Sequence, residues 1–321
     1  MRSQTLKALW VFVSISCVLS ACSRTAPEKP ASDKSASPSA SASSAIAPLS
    51  EKYSRPAPAR LVAIGDLHGD LDVTRRALRL AGAIDAKDAW VGGDLVVVQT
   101  GDEIDRADDD RKILDLFERL KVDAKKTGGE VIALTGNHEL MNASHDFRYV
   151  TPGAFAEFGD ERARAAAFSP GGTYAKIIAE RPVVVKVGDS VFMHGGILPK
   201  HLRYGLDRIN DEVRAWLLGQ RSRVPEIVVQ EDGPVWTRMY SAAPGREECA
   251  VLGEVLRDLK AKRLVMGHTV QRNGINPACD EQAWRIDTGL SKAYGGKLEV
   301  LEIRGDTVSV RRPDTDGSLP K

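Results

Sequence analysis

Five short apolar runs along the chain each end at glycine or histidine and continue into polar residues. The five stretches are LVAI-GDLH (61–68), LVVVQT-GDEIDR (95–106), VIALT-GNHE (131–139), SVFM-HGG (190–196) and RLVM-GH (263–268). Apolar and β-branched runs of four to six residues that stop at glycine are typical of buried strands. The pattern therefore predicts five strands, each with a polar tip at its carboxyl end.

Helical periodicity appears between these strands. The segments LDVTRRALRLAGA (71–83) and DRKILDLFERLKVDAKK (110–126) carry apolar residues at spacings of three and four, which predicts amphipathic helices. Strands that alternate with helices indicate an α/β fold, in which ligands gather beyond the carboxyl ends of the strands. We therefore expect the five polar tips to converge on one site.

The polar tips offer oxygen and imidazole donors and no thiolate. The candidate ligands are Asp66, His68, Asp102, Asn137, His194 and His268. Such donors suit divalent ions such as manganese, iron or zinc at a catalytic site. Six ligands exceed the needs of one ion, so the sequence predicts two ions that share a carboxylate. The histidines outside the tips, His145 and His201, are expected to be surface or structural residues.

In this order, GDLHGD, GDEIDR, GNHE, HGG and GH resemble the motif series of the calcineurin-like metallophosphoesterases, in their phosphoprotein-phosphatase branch. The longer segments around these motifs are similar to those of the Shewanella-like phosphatases: QTGDEIDR, GNHELMN, FMHGGILP, PVWTR and MGHTVQ. The resemblance covers roughly residues 60–303. It implies a β-sandwich flanked by helices, with a dinuclear metal site at the strand ends that holds manganese or, alternatively, iron or zinc.

The resemblance also implies a ligand set for each metal ion. The first ion would be held by Asp66, His68 and Asp102. The second ion would share Asp102 and be completed by Asn137, His194 and His268.

Catalytic roles follow from the same resemblance. His138 would be the general acid, oriented by Asp105, and the phosphate would be bound by Arg106, Arg238 and Asn137. The family usually has glycine after the arginine of the second motif, where this chain has Ala107. A methyl group is compatible with that position unless it requires a positive φ.

The implied activity is hydrolysis of phosphomonoesters, as in protein phosphatases, by direct attack of a metal-bridging hydroxide on phosphorus. Two cations and the arginines would neutralise the negative charge that protects a phosphate ester from nucleophiles. The expected substrate is a phosphorylated protein or a small phosphoester. Nothing in the sequence selects phosphotyrosine over phosphoserine.

Two alternatives remain open at the sequence level. A nucleotide or diadenosine-polyphosphate hydrolase could use the same metals, and would need stacking aromatics such as Phe147, Tyr149, Tyr174 or Trp236. An inactive, membrane-tethered scaffold is the other, although such proteins usually have a broken ligand set. A cysteine phosphatase is excluded, because the DEQAW residues between Cys279 and Arg285 include two acids and no glycine to cradle phosphate.

Charge and cysteine content bear on the possible partners and on the cellular compartment. The 45 basic and 44 acidic residues nearly cancel and form no basic tract, which argues against a nucleic-acid partner. Cys249 and Cys279 could form a disulfide outside the cytosol or remain two unrelated thiols. The oligomeric state is left open.

The N-terminal sequence predicts an export signal. The basic MRSQTLK, the apolar ALWVFVSISCVL and the small residues LSAC (19–22) resemble a bacterial lipoprotein signal, with an ordinary secretory signal as the alternative. Cleavage would leave a lipidated Cys22 followed by a segment (23–50) in which 20 of 28 residues are Ser, Ala or Pro. Such a segment buries too little to become ordered.

The predicted organisation is therefore a signal peptide (1–21), a flexible tether (22–57), a catalytic domain (58–312) and a tail (313–321). The protein would be exported and membrane-anchored. Because Ser23 rather than Asp follows the cysteine, the periplasmic side of the outer membrane is expected in a double-membrane bacterium.

Replacing the lipidated cysteine tests this anchor. Cys22→Ala should move the protein from the membrane to the soluble fraction, because the lipid is its only expected membrane contact. The specific activity should stay the same, which fractionation with a phosphatase assay measures. An unmutated protein that is already soluble would rule the lipid anchor out.

Overall fold

The computed structural model describes residues 49–315 and 317–319. The predicted signal peptide, Cys22 and the tether up to residue 48 lie outside these ranges. Within the described residues, no helix is both long enough and apolar enough to cross a bilayer.

Eleven strands and ten helices form the described part of the chain. The strands are β1 (Ser54–Arg55), β2 (Leu61–Ile64), β3 (Val96–Gln99), β4 (Glu130–Ala133), β5 (Val184–Val187), β6 (Ser190–Met193), β7 (Arg263–Met266), β8 (Asn276–Ala278), β9 (Ala283–Arg285), β10 (Val300–Arg304) and β11 (Thr307–Arg311). The helices are α1 (Leu71–Leu80), α2 (Asp110–Lys125), α3 (Asn137–Ala143), α4 (Pro152–Ala156), α5 (Glu161–Phe168), α6 (Thr173–Ile178), α7 (Pro199–Tyr204), α8 (Leu206–Leu217), α9 (Glu226–Val229) and α10 (Arg246–Asp258).

All five predicted strands are present, as β2, β3, β4, β6 and β7, and both predicted helices are present as α1 and α2. One sheet has the order β11-β10-β2-β3-β4, in which β2, β3 and β4 are parallel. The other has the order β1-β5-β6-β7-β9-β8, in which β6, β7 and β9 are parallel. Parallel neighbours end on the same side of a sheet, so each sheet collects its polar tips at one edge.

Alternation along the strands explains how the sheets pack. In β2, Ala63 belongs to an apolar cluster that also contains Phe192 of β6 and Val265 of β7. Its neighbour Ile64 belongs to a different cluster, with Phe117 of α2. Because successive side chains point to opposite faces, one face of the sheet packs on the other sheet and one on helices. The fold is therefore the predicted β-sandwich flanked by helices.

The folded domain begins earlier than the predicted boundary at residue 58. Leu49 and Tyr53 are buried in the main apolar cluster, and β1 pairs in parallel with β5, with Ser54 opposite Lys186. The burial of these two apolar side chains helps to fix the segment that precedes β2. Residues 49–57 are thus part of the domain, which corrects the predicted extent of the tether.

A disulfide joins Cys249 in α10 to Cys279, which follows β8. It closes a loop with a sequence separation of 30 residues, and this loop contains β7 and His268. The bond also occupies the sulfur of Cys279, which supports the exclusion of a cysteine phosphatase.

Removing this disulfide should weaken the domain. Cys249→Ser with Cys279→Ser is expected to lower the free energy of unfolding by about 2–4 kcal/mol, because the open loop gains conformational entropy in the unfolded chain. Urea unfolding without reductant measures the difference. Reductant should destabilise the parent protein and leave the double variant unchanged; equal midpoints for the two oxidised proteins would contradict the prediction.

Candidate active site

The strand ends bring the six predicted metal ligands together. Asp66 and His68 follow β2, Asp102 follows β3, Asn137 follows β4, and β6 and β7 lead to His194 and His268. All six side chains belong to buried residues, none more than 7% exposed. The convergence predicted from the polar tips is therefore present in the fold.

Asp102 lies at the centre of the cluster. Its Oδ2 is 3.2 Å from Nε2 of His194 and 3.9 Å from Nε2 of His68. Two groups of side chains could each hold an ion, with potential ligand atoms within 4.8 Å of one another: His68, Asp102 and His138 in one, and Asp102, His194 and His268 in the other. Asp102 belongs to both groups, as a carboxylate shared by two ions would.

Backbone carbonyls fix the orientation of the three ligand imidazoles. Nδ1 of His68 is 3.2 Å from the Ile104 oxygen, and Nδ1 of His194 is 2.9 Å from the Thr100 oxygen. Nε2 of His268 lies 2.9 Å from the Trp236 oxygen. A carbonyl can only accept, so these nitrogens donate and the opposite nitrogen of each ring presents a lone pair to the cluster.

Donor spacing around His194 fits a metal ion. Nε2 of His194 is 2.9 Å from Oδ1 of Asn137, 3.1 Å from Nδ1 of His268 and 3.2 Å from Oδ2 of Asp102. Lone pairs that converge in this way repel one another unless a proton or a cation lies between them. Neighbouring ligands at right angles on an ion with bonds of about 2.1 Å would be about 3 Å apart.

The pKa values of the clustered groups show how strongly these groups interact. Burial lowers the pKa of His68 to about 4 and that of His268 to about 2, so both rings are neutral at physiological pH. Burial disfavours the charge of Asp102, but the imidazoles of His194, His138 and His68 outweigh it and hold the pKa of Asp102 below its ordinary value. Burial, Asp287 and Asp102 raise the pKa of Asp66. Burial also opposes the charge of His194, but Asp102 outweighs it and raises the pKa of that ring. A divalent cation bound here would displace that proton.

Two glycines allow the strand ends to approach this closely. A Cβ at Gly267 would overlap Oδ1 of Asp66, and a Cβ at Gly136 would overlap Oδ1 of Asp102. The glycines of the GH and GNHE motifs are therefore required by the contact between polar tips.

Several site residues have left-handed backbone conformations, which are uncommon without glycine. They are His68 (φ 46°), Asp102 (φ 57°), Asp105 (φ 72°), Arg106 (φ 74°) and His268 (φ 67°). Such backbone strain persists only where surrounding contacts enforce it, as at functional sites. Ala107 is not among the residues with positive φ, so its methyl group fits where the family usually has glycine.

His138 and Asp105 form a buried pair beside the ligands. Nδ1 of His138 is 2.6 Å from Oδ2 of Asp105, and its Nε2 is 3.8 Å from Oδ2 of Asp102. Burial opposes the charge on His138, but Asp102 and Asp105 outweigh it and raise its pKa. The backbone N–H of His138 also donates to Oδ1 of Asp102, at 3.0 Å. The pair therefore has the geometry of an oriented imidazole that can carry a proton.

The two predicted phosphate-binding arginines differ in their surroundings. The Arg106 guanidinium lies 3.8 Å from the ring centre of Tyr149 and 5.7 Å from that of Tyr294. No hydrogen bond or ion pair within the described part of the chain engages the Arg106 side chain, and its Nε is buried. Arg238, in contrast, donates from Nη1 to the His268 oxygen at 2.6 Å and to Oγ1 of Thr269 at 2.8 Å.

Both arginines line one cavity of about 100 Å³. Its walls are formed by His68, Asp102, Arg106, Asn137, His138, Tyr149, Trp236, Arg238, His268, Val270, Asp287 and Tyr294. The other histidines lie elsewhere: His145 is exposed and bonds to Ser169, and His201 is buried and accepts from the Leu198 N–H.

Sequence reasoning missed Glu139, which ties two polar tips together. Its carboxylate accepts from the backbone N–H groups of Asp102 (3.0 Å), Glu103 (2.9 Å) and Gly136 (2.8 Å). The signal was present, because glutamate at the third helical position commonly caps the residue that precedes a helix.

Asp287 and Tyr294 were also missed, and Tyr149 was considered only as a base-stacking residue. Asp287 follows β9 and is buried beside the cavity; its only signal was an acid two residues after a strand of three. Tyr149 and Tyr294 lie outside regular elements, and no sequence pattern distinguishes them.

A sandwich whose strand ends bury oxygen and imidazole donors, beside an oriented histidine and an unpaired arginine, defines a metal-dependent phosphoester hydrolase. Residues 59–272 match the family model for calcineurin-like phosphoesterases. The chain belongs to this family, which confirms the family, the fold class and the phosphatase class predicted from the sequence.

Named relatives agree with that assignment. The chain is 41% identical over 298 residues to Shewanella-like protein phosphatase 2 of Arabidopsis thaliana, covering 78% of this chain and 76% of the relative. It is 31% identical to Shewanella-like protein phosphatase 1 of Plasmodium berghei, covering 72% and 67%. In fold it is similar to a cold-active protein-tyrosine phosphatase of a psychrophilic Shewanella, with a TM-score of 0.70, 24% identity and coverage of 83% and 85%.

The shared position of Asp102 leads to a prediction about metal content. Asp102→Asn should lower the content of every bound divalent ion, because the amide is uncharged and offers one oxygen as a ligand where the carboxylate offers two. Metal affinity should fall by at least the roughly 10- to 100-fold typical when an outer partner of a ligand is lost, and activity should fall on every substrate. Elemental analysis after dialysis measures this, with the exposed Asp94→Asn as control. Full metal content in Asp102→Asn would contradict the prediction.

Proposed function

We propose that the protein is a phosphomonoester hydrolase of the protein-phosphatase type that works with two divalent metal ions. The observation that carries this proposal is the guanidinium of Arg106. It has no hydrogen-bond or ion-pair partner among the described residues and lines the same cavity as Asp102 and His138. A planar cation without a carboxylate partner is suited to bind the oxygens of a phosphate group.

The metal ions of this proposal use the six ligands predicted from the sequence, so Asp66 takes the place that His138 has in the first group of side chains. Asp66, His68 and Asp102 would hold one ion, and Asp102 with Asn137, His194 and His268 the other. Manganese is our first choice, with iron or zinc as alternatives, because oxygen and imidazole donors suit all three. When bound, such ions supply positive charge opposite the phosphate and lower the pKa of a water molecule.

The protein's own groups supply the remaining steps. Arg106 and Arg238 would bind and orient the phosphate, with Asn137 close to it, in the cavity that all three residues line. His138 would protonate the leaving oxygen through Nε2, because its Nδ1 is held by Asp105 at 2.6 Å. Such transfer from a positioned imidazole is general acid catalysis.

A nucleotide or diadenosine-polyphosphate hydrolase has less support. Of its candidate stacking residues, Tyr174 packs on Phe168 in the core and Phe147 lies against Phe155. Tyr149 lines the cavity, but the Arg106 guanidinium occupies one face of its ring. Only Trp236 is left to bind a base. The intact ligand set argues against an inactive scaffold.

We also propose that the protein is exported and anchored by a lipid at Cys22, on the periplasmic side of the outer membrane if the cell has two membranes. The basic and apolar segments before LSAC support this. So does the disulfide between Cys249 and Cys279, because such bonds persist in oxidising compartments.

The choice of substrate and metal needs one panel of assays. Enzyme stripped of metal and reloaded with manganese, iron or zinc should hydrolyse p-nitrophenyl phosphate and a phosphopeptide. It should hydrolyse a dinucleotide polyphosphate far more slowly. The reverse preference would overturn the phosphomonoesterase proposal.

His138 should affect rate and not metal content. We expect His138→Asn to keep its metals and lose on the order of 10²- to 10⁴-fold in kcat on phenyl phosphate, whose leaving group needs a proton. The loss on p-nitrophenyl phosphate should be smaller, because that phenolate departs unprotonated. Rate ratios for the two substrates, beside elemental analysis, measure this; the exposed His145→Asn is the matched control. Equal losses on both substrates would show that His138 is not the acid.

A further inference from the structure

We propose that Arg164 is a positioning residue for this reaction, because it fixes Asp105, which in turn orients His138. The inference rests on the proposed function and extends it to a residue of α5 that shares no motif with the metal ligands. Arg164 is 0% exposed, and it lies 59 positions along the chain from Asp105.

Every nitrogen of the Arg164 guanidinium has a partner. Nη2 donates to Oδ1 of Asp105 at 3.2 Å and to Oδ2 of Asp110 at 2.7 Å. Nε donates to Oδ1 of Asn142 at 2.9 Å, and Nη1 donates to the Ala154 oxygen at 3.2 Å. The contacts reach α2, α3 and α4, so this one side chain connects three helices around the catalytic pair.

The bonds to Asp105 divide between its two oxygens. Oδ2 meets Nδ1 of His138 at 2.6 Å. Oδ1 accepts from Arg164 and from Nδ2 of Asn142, which is 3.0 Å away and is itself bonded to Arg164. The carboxylate therefore cannot rotate away from His138 without breaking bonds on its other oxygen.

Arg164 also supports the backbone at Asp105. Asp105 and Arg106 are consecutive residues with positive φ, a strained arrangement. The Asp105 N–H donates to Oδ1 of Asp110 at 2.9 Å, and Arg164 holds the other oxygen of that same carboxylate. Both the side chain and the main chain of Asp105 are thus fixed through Arg164.

The position of the Arg164 side chain is itself fixed by three aromatic rings. Its guanidinium carbon lies 4.8 Å, 5.2 Å and 5.9 Å from the ring centres of Phe168, Phe158 and Phe155. Burying a cation is costly, and apolar residues usually fill a core with less loss of solvation. The polar network is therefore better explained by the need to hold Asp105 than by stability alone.

The test compares Arg164→Lys and Arg164→Met on two substrates. We expect losses in kcat on the order of 10- to 100-fold for phenyl phosphate, as when a supporting contact of a catalytic group is removed. Losses on p-nitrophenyl phosphate should be smaller, and KM and metal content should stay near those of the parent. Lysine keeps the positive charge but not the several N–H donors of the guanidinium. Arg164→Lys should therefore lose less kcat than Arg164→Met and should disturb folding less.

A double-mutant cycle separates positioning from general support. In a His138→Asn background, Arg164→Lys should lower kcat little further, because the group it positions is already absent. The matched control is Arg263→Lys. Arg263 is a buried arginine at the start of β7 that bonds to Asp189 at 3.2 Å and Ser190 at 3.0 Å, and its replacement should affect thermal unfolding without changing substrate preference.

The outcomes distinguish a failure of the role given to Arg164 from a failure of the role given to His138. Suppose that the loss of kcat in His138→Asn depends on the leaving group. If Arg164→Lys then lowers kcat equally on both substrates, or if its loss of kcat multiplies with that of His138→Asn in the double variant, Arg164 supports only the fold. If His138→Asn itself shows no dependence on the leaving group, the acid of the proposed function is wrong, and with it the role given to Arg164.

Discussion

The burial of Asp66 and Asp102 in one small volume is the constraint on which the rest of the site depends. Two carboxylates removed from water repel each other and lose their solvation. Backbone N–H groups offset part of this cost, from His268 to Asp66 and from His138 to Asp102, and the neighbouring imidazoles stabilise the negative charge of Asp102. These groups leave part of the repulsion in place, as the raised pKa of Asp66 shows, and a bound divalent cation would remove it.

The parts of the fold that the sequence predicts are those encoded locally. Runs such as LVAI and RLVM encode their strands within four residues, and the proposed metal ligands follow directly. Residues 49–57 were assigned to the tether because their order comes from pairing with β5 and from the burial of Leu49 and Tyr53. No periodicity within nine residues reveals a partner more than a hundred positions away.

The same limit applies within the site. Glu139 could have been found, because GNHE places it at a capping position. Arg164 could not, because ERARAAAF gives a short helix in which two arginines look equivalent, and only tertiary packing buries one of them. Tyr149 packs against the Arg106 guanidinium, a contact that depends on where the fold places Arg106. The proposed metal ligands follow strand ends, whereas the groups that position the proposed acid and its partner come from the connecting segments, where sequence patterns are weak.

The order in which the ligands occur along the chain bears on how the metal is chosen. The bond from His268 to Asp66 spans 202 positions, so the site is incomplete until nearly the whole domain has been synthesised and folded. A chain exported unfolded would therefore cross the membrane before it could bind its ions. In such a protein the identity of the metal would reflect the supply of ions where folding is completed as much as the preference of the ligands.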